Sequence, residues 1–181
     1  MSIKQIGTQK IETDRIILRR FKVSDAKDVF EHYASDEEVT KFLTWKTHEN
    51  LDVTKAILSE WVKKYANDDF YSWAIYNLDS GEVIGAISLK TTPERFRGEI
   101  GFVLGKAYWN KGIMTEALKE ILKYGFERIG LSRIQAAHHI MNKASGKVML
   151  KAGMKHEGRL RKWSPNNEGV LVDCMMYSII N

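Results

Sequence analysis

The chain has a single cysteine, Cys174, among 181 residues. One thiol excludes an internal disulfide and most thiolate metal sites. Long hydrophobic runs are missing too: none approaches the ~18 consecutive apolar residues of a membrane-spanning helix. The N-terminal stretch has no apolar core, so no secretory leader is expected and the default location is cytoplasmic, with no membrane partner. The chain has only two prolines, Pro93 and Pro165, and both fall at breaks between periodic segments. No repeat, linker or low-complexity tract divides the chain, so one domain over residues 1–181 is expected, long enough to bury a sizeable core. No basic strand interleaved with aromatics of the RNA-reading type is present, which argues against nucleic acid as a partner. His138 and His139 are adjacent on a candidate strand and point to opposite faces, so they cannot form one metal site. A satisfied interior position is the expectation for one of them.

What is present is ordinary in amount and uneven in placement. Apolar residues make up 44% and charged residues 28%, as in globular proteins. The net charge is +5, but residues 1–100 hold 15 Lys/Arg against 17 Asp/Glu, while residues 101–181 hold 13 against 6. A basic second half suits a polyanionic ligand. It is equally what a solvated basic face looks like.

The basic half begins with the most informative stretch, 99–118. Ile100, Phe102 and Leu104 alternate with Glu99, Gly101 and Val103, the period of a strand. The pattern breaks at Gly105. After Gly112 the apolar positions Met114, Ala117, Leu118, Ile121 and Leu122 fall at helical spacing, with Glu116, Lys119, Glu120 and Lys123 opposite them. A strand therefore enters an amphipathic helix through a glycine-containing turn. The first N–H groups of that helix have no internal partners and carry the positive end of the helix dipole. A phosphate or pyrophosphate suits such a turn. It is not a Walker loop, because Lys111 is followed by glycine, and it lacks the glycine triplet of a Rossmann turn.

The turn resembles the acetyl-CoA-binding motif of the GNAT superfamily of N-acetyltransferases. That motif, Arg/Gln-x-x-Gly-x-Gly/Ala, aligns with Trp109-Asn-Lys-Gly112-Ile-Met114, with Trp and Met departing at its ends. Tyr-Trp-Asn-Lys-Gly-Ile-Met-Thr-Glu-Ala is similar to the ribosomal-protein N-terminal acetyltransferase branch. So are Asn142-Lys-Ala-Ser145, the ending at Lys151-Ala-Gly-Met154, and Glu157-Gly158-Arg159. The resemblance runs from about Ile11 to Ile179.

Along the chain, Arg15–Phe21 reads as a strand. Ser24 reads as the N-cap of a helix ending near Ala34. A short helix over 36–43 and a longer one over 50–66 follow, the latter with Ala56, Ile57, Trp61 and Tyr65 as its apolar stripe. Hairpin strands are expected at Tyr71–Asn77 and Val83–Thr91. Then come the strand–turn–helix, a strand at Arg133–Ile140, a helix at Lys143–Ala152, and strands at Met154–Trp163 and Val170–Ile180. This order predicts an α/β (α+β mixed) fold: a central mixed, mostly antiparallel sheet with helices on both faces. The resemblance implies the same.

The resemblance assigns candidate roles. Glu99 would be the catalytic carboxylate that takes a proton from the amine, directly or through water. As a bare residue it is an exposed glutamate on a strand. Ser145 would protonate the departing coenzyme thiolate, since no tyrosine occurs between Asn142 and Gly153. A serine in a first helical turn also caps. Asn142 would cap that helix, hold the pantetheine arm, or both. Phe102, Val103 and Leu104 would offer main-chain groups to pantetheine. Asn110, Lys111, Gly112, Ile113, Met114 and Thr115 would surround the pyrophosphate, with Lys147 and Lys143 as further cations. Trp45, Trp73, Tyr33 and Phe96 would line an acceptor pocket, although core packing is expected for at least two of them.

The implied activity is acetyl-CoA-dependent N-acetyl transfer, without metal, to a primary amine on a protein N-terminus or a small molecule. The alternatives are a longer acyl-CoA as donor, or a module that binds CoA without turnover. The acceptor loops near Trp45 and Pro165 are where such families vary. Homodimerisation is compatible with the resemblance.

Overall fold

A computed structural model of the protein describes residues 3–181; Met1 and Ser2 of the expected domain lie outside the described residues. Eight strands form one sheet: β1 (Ile11–Glu12), β2 (Ile16–Arg19), β3 (Ser72–Asn77), β4 (Glu82–Thr92), β5 (Arg97–Leu104), β6 (Arg133–His139), β7 (Lys155–Pro165) and β8 (Leu171–Ile180). They lie in the order β1-β2-β3-β4-β5-β6-β8-β7. Every neighbouring pair is antiparallel except β5 and β6. The helices are α1 (Ala26–Val29), α2 (Glu37–Thr40), α3 (Leu51–Lys64), α4 (Ile113–Tyr124) and α5 (Lys143–Lys151). The expected mixed, mostly antiparallel sheet with helices on both faces is what forms.

Strand alternation sorts the apolar side chains to two cores. Trp73, Ile75, Ile87, Ile100 and Ile134 meet Ala117, Leu118 and Ile121 of α4 and Met149 of α5. Ala74, Val83 and Ala86 meet Val29 of α1 and Leu58 of α3 on the other face. The period of α4 read from the sequence is thus the period of its burial.

Four local expectations need correction. Ser24 does not cap α1; it is exposed within a short 3-10 turn over Val23–Asp25. Asp25 holds the N-cap position of α1 without a side-chain capping bond; its buried carboxylate reaches back instead, accepting from the Lys22 N–H at 2.8 Å while Arg19 donates to both its oxygens at 2.8 and 2.9 Å. Charge-assisted bonds of this kind outcompete a solvated hydroxyl. Ala56 is exposed, and the buried stripe of α3 is Thr54 and Leu58, continued by Tyr65 beyond its end. Asn50 sets that helix's start, its side-chain oxygen accepting from the N–H groups of Asp52 and Val53 at 3.1 Å each. An extra strand, β1, pairs with β2 over two residues, too few to show a period in sequence. Finally, the strand whose alternation is legible from Glu99 onward starts two residues earlier, at Arg97, so Glu99 is its third residue.

β4 and β5 approach closely at their ends because Gly85 has no side chain. A Cβ there would lie 2.5 Å from the Val103 carbonyl oxygen and 3.2 Å from the Leu104 Cα. Both obstacles are backbone and cannot rotate away. Gly85→Ala is therefore expected to destabilise the protein by about 1–3 kcal/mol, the usual cost of overpacking. Urea unfolding of the variant against the parent measures this, and an unchanged midpoint would contradict it.

Candidate active site

β5 and β6 are paired only over Arg97–Glu99 with Arg133–Gln135. Beyond that point each strand follows its other neighbour: β5 stays with β4 to Leu104, and β6 stays with β8 to His139. A gap opens between them. The Gly105 N–H donates to Ile84 at 2.8 Å, which fixes the alternation of the β4–β5 ladder. The peptide groups of Glu99, Gly101 and Val103 consequently face β4, and those of Ile100, Phe102 and Leu104 face the gap. Of the three residues expected to offer main-chain groups, Phe102 and Leu104 present them to the gap. Val103 contributes only its side chain to the cleft wall. The Leu104 carbonyl is already taken, accepting from the Trp109 indole at 2.7 Å.

A cleft of about 640 Å³ runs through this gap. Because it passes from one face of the sheet to the other, it gathers residues of both parities. Glu99, Gly101 and Val103 line it from one face, and Phe102, Asn142 and Ser145 from the other. Glu99 is exposed, and Gln135 Nε2 donates to its Oε2 at 3.1 Å, which leaves Oε1 without a protein partner among the described residues. On α5, Asn142 acts as N-cap, its side-chain oxygen accepting from the Ser145 N–H at 3.3 Å. The Asn142 amide also donates to Ser145 Oγ at 3.4 Å. With Oγ as acceptor there, the serine proton remains available to a group in the cleft.

At the end of β5 the chain turns through 105–112 into α4. Among the described residues no side chain caps this helix. Gly112 sits at its N-cap with φ +78° and Asn110 precedes it at φ +60°. A Cβ on Gly112 would meet only Arg15 Nη2, at an ordinary 3.6 Å. Glycine is therefore needed here for its left-handed backbone, and protein contacts leave the space beside it open. The side chains of Ile113 and Met114 are buried in the core, so only their peptide groups can serve a ligand. Lys111 lies over the Tyr108 ring, 5.4 Å from its centroid, and borders a separate hollow of about 340 Å³ with Arg15 and Ser80. Lys143 and Lys147 are exposed on α5 and do not line the cleft.

Residues 15–155 match the acetyltransferase (GNAT) domain family. The chain belongs to the GNAT acetyltransferases. It is 32% identical over 171 residues to the uncharacterised N-acetyltransferase YoaA of Bacillus subtilis, covering 94% of this chain and 96% of that one. A ribosomal-protein-alanine N-acetyltransferase of Escherichia coli is 24% identical over 161 residues, 82% of this chain and 79% of that one. The crystal structure of a GNAT-family acetyltransferase from Bacillus anthracis superposes with TM-score 0.81 at 28% identity, covering 95% and 98% of the two chains.

Several parts of this GNAT site were not legible from the motif. Arg15, far away in sequence, holds the turn: its Nη1 donates to the Lys111 carbonyl at 2.9 Å and its Nε to Glu116 at 2.7 Å. Its only sequence signal is a cation at the start of the first strand. Of the four aromatics suggested for an acceptor pocket, Tyr33 and Trp45 line the cleft. Trp73 is fully buried beside Tyr71 and Tyr124, and Phe96 occupies the β4–β5 turn at φ +50°. Glu157 is the extra residue of a β-bulge between His156 and Gly158, with Gly158 at φ +149°. Arg133 donates to Glu157 at 2.7 Å, and Glu157 also accepts from Ser178 at 2.5 Å, which together push its pKa down to about 2.

His138 and His139 do point to opposite faces, yet both line the cleft because it crosses the sheet. His139 lies against Phe42, with ring centroids 5.0 Å apart. His138 is interior but only half satisfied. Its Nδ1 bonds the His139 carbonyl at 2.8 Å, while Nε2 is buried and has no hydrogen-bond partner among the described residues. Burial pushes its pKa down; the bond to the His139 carbonyl opposes this in part, and the charges of His139 and His156 lower it further. Burial does the same to His48, whose Nδ1 bonds Thr54 at 2.8 Å.

A folded-state histidine pKa below the unfolded value of ~6.5 means that the unfolded chain binds more protons in between. These two histidines therefore contribute stability above about pH 6.5, which is lost as pH falls toward their depressed values. The urea midpoint is expected to drop between pH 7.5 and 5.5, and His138→Gln should flatten part of that slope. A midpoint that rises on acidification would contradict the assignment.

Proposed function

We propose that this acetyltransferase moves an acetyl group directly from acetyl-CoA to a primary amine, with Glu99 as base and Ser145 as proton donor. The observation that carries the reading is the β5–β6 gap: one cleft, open to both faces of the sheet, bordered by Glu99 on one face and Ser145 on the other. The residues fit a CoA thioester. Phe102 offers unpaired peptide groups to an extended amide arm, as an added strand would use them. Asn142 stands beside the same slot. The uncapped start of α4, with the N–H groups of Ile113, Met114 and Thr115, suits a pyrophosphate.

In this reading the amine enters from the Glu99 face. Glu99 takes a proton from the ammonium, directly or through water, so that the nitrogen lone pair attacks the thioester carbonyl. The C–N bond forms and the C–S bond breaks; the Ser145 hydroxyl gives its proton to the departing sulfur and regains one from the acylated nitrogen, so that a neutral amide and CoA thiol leave and Glu99 returns its proton to water. A covalent acetyl-enzyme is disfavoured. Cys174, the one thiol, is buried at the cleft wall, and burial pushes its pKa up, away from the nucleophilic thiolate.

Release of CoA thiol from acetyl-CoA, followed with a panel of primary amines, tests the reading. Amine-dependent release supports it; a longer acyl-CoA outrunning acetyl-CoA would favour the alternative donor, and tight binding without release a sensing module. Glu99→Gln should lower the rate on the order of 10²–10⁴-fold near neutral pH, recovering partly at high pH where the amine is already neutral. Ser145→Ala should lower kcat by less, with little change in the acetyl-CoA KM and no recovery at high pH. Full activity of Glu99→Gln across the profile would remove Glu99 from the mechanism.

The basic second half generates a separate expectation. Lys111, Lys143 and Lys147 stand around the turn and the start of α5, where a 3′-phosphate would add to their attraction. CoA should bind more tightly than its 3′-dephospho form, and the difference should shrink as salt rises. Calorimetric titration of both at two salt concentrations measures it; equal affinities would make these lysines ordinary surface charges.

A further inference from the structure

On the Glu99 face the cleft continues past the reaction point into a lobe between the sheet, α3 and the loop after α2. Its walls are Trp45, Ile57, Leu58, Trp61 and Phe70. The most deeply buried polar residues of its lining, Tyr33, Thr54 and Ser72, are neutral hydroxyls. The walls are held in place by their own packing: Trp61 lies edge-on to Phe21 at 5.2 Å, Phe70 against Tyr65 at 5.2 Å, and Trp45 against His48 at 5.3 Å. Such a lobe is formed before anything enters it, so little ordering cost falls on binding.

The charges around it are few. Among the residues lining the cleft, Glu99 is the one carboxylate and Lys90 the one lysine or arginine. They face each other across the β4–β5 ladder, at the sheet and not in the lobe. His48 is committed to Thr54 and is kept neutral by burial. A second ammonium or a carboxylate at the far end of the acceptor would lose its water and find no counter-charge. An apolar group would exchange water for aromatic and aliphatic walls.

Resting on the transferase reading above, we infer that the acceptor is a primary amine whose substituent is bulky, apolar and uncharged. Polyamines and polycationic amines do not suit the lobe, because Glu99 alone serves the reacting nitrogen. Amino termini beginning with a very small residue leave the lobe unfilled. Two sources share the favoured chemistry: a peptide whose first residue has a large apolar side chain, and a free arylalkylamine.

The test is CoA thiol release from saturating acetyl-CoA with four acceptors: 2-phenylethylamine, a tripeptide amide beginning with phenylalanine, the same tripeptide beginning with serine, and spermidine. The better of the two phenyl-bearing acceptors should exceed both others in kcat/KM on the order of tenfold or more. Which of the two it is identifies the source. Spermidine or the serine peptide performing as well or better would overturn the inference while leaving the transferase reading intact. No release with any amine would overturn that reading, and the inference with it. A variant adds a second line. Ile57→Glu places a carboxylate on a half-buried wall position. It should depress phenylethylamine turnover on the order of tenfold, improve spermidine relative to it, and leave the acetyl-CoA KM unchanged. Trp45→Ala, in a loop, should lower the phenyl preference without adding charge. Unchanged selectivity in both variants would count against the lobe as the acceptor's seat.

Discussion

The structure depends on a parallel strand pair that stops after three residues. β5 and β6 are each fully engaged on their far sides, so nothing pulls them together beyond Glu99 and Gln135. Buried peptide groups are nearly always paired, and leaving them unpaired is costly. A fold that keeps a row of them facing an open gap gains a place for an extended polar chain to dock. Everything assigned to the chemistry is arranged along that gap: the carboxylate of Glu99 near its closed end, Asn142 and Ser145 on the helix that follows β6, and the helix start at Gly112 beyond its open end.

The two cores explain why the gap stays open and stays put. Each face of the sheet has its own layer of helices, and the apolar residues of β3 and β4 feed both. Besides the three-residue β5–β6 pairing, the two halves of the sheet are joined by the core under α4 and α5, which takes side chains from both. Where the halves separate, the cleft becomes continuous between the faces. Two substrates can then meet from opposite sides without either occupying the other's path, the geometry that direct transfer between a thioester and an amine requires. The turn leading into α4 is held by Arg15, just before β2, on the Lys111 carbonyl and by the motif's own Trp109 indole on the Leu104 carbonyl. Its shape is set before a phosphate arrives.

How much of this could be read in the sequence follows from how local each feature is. The strand, turn and helix around Gly112 were legible because period two, a glycine and period 3.6 follow one another within twenty residues. The helix caps were legible where one side chain decides, as at Asn142, and misread at Ser24, where a buried ion pair between Arg19 and Asp25 overrides it. Nothing local announces that β5 and β6 part company, since each has an ordinary alternating pattern. Arg15 lies about a hundred residues from the loop that it holds, and a single arginine carries no pattern. The acceptor lobe was half seen. Trp45 and Tyr33 were candidates, but which aromatics line a cavity and which fill a core is decided by packing between α3 and the sheet, so Trp61 and Phe70 looked no different from Trp73.

His138 shows how the same packing limits the chemistry beside Ser145. A ring nitrogen bonded to a carbonyl must be the one that carries the proton, so Nδ1–H points to the His139 carbonyl and Nε2 is left with a lone pair. That lone pair sits under the first turn of α5, against Gly146, where a Cβ would come within 2.7 Å of Nε2 and 2.9 Å of the Tyr177 hydroxyl. Glycine lets the helix settle onto the two rings, which stack with centroids 5.5 Å apart. The result is an unpaired acceptor, at a cost on the order of 1–3 kcal/mol, in surroundings that resist protonation. A neutral His138 places no positive charge next to the position where a thiolate would form, so it cannot stabilise that thiolate by charge. On the proposed reading, the proton for the sulfur comes from the Ser145 hydroxyl, which Asn142 leaves free by donating to its oxygen.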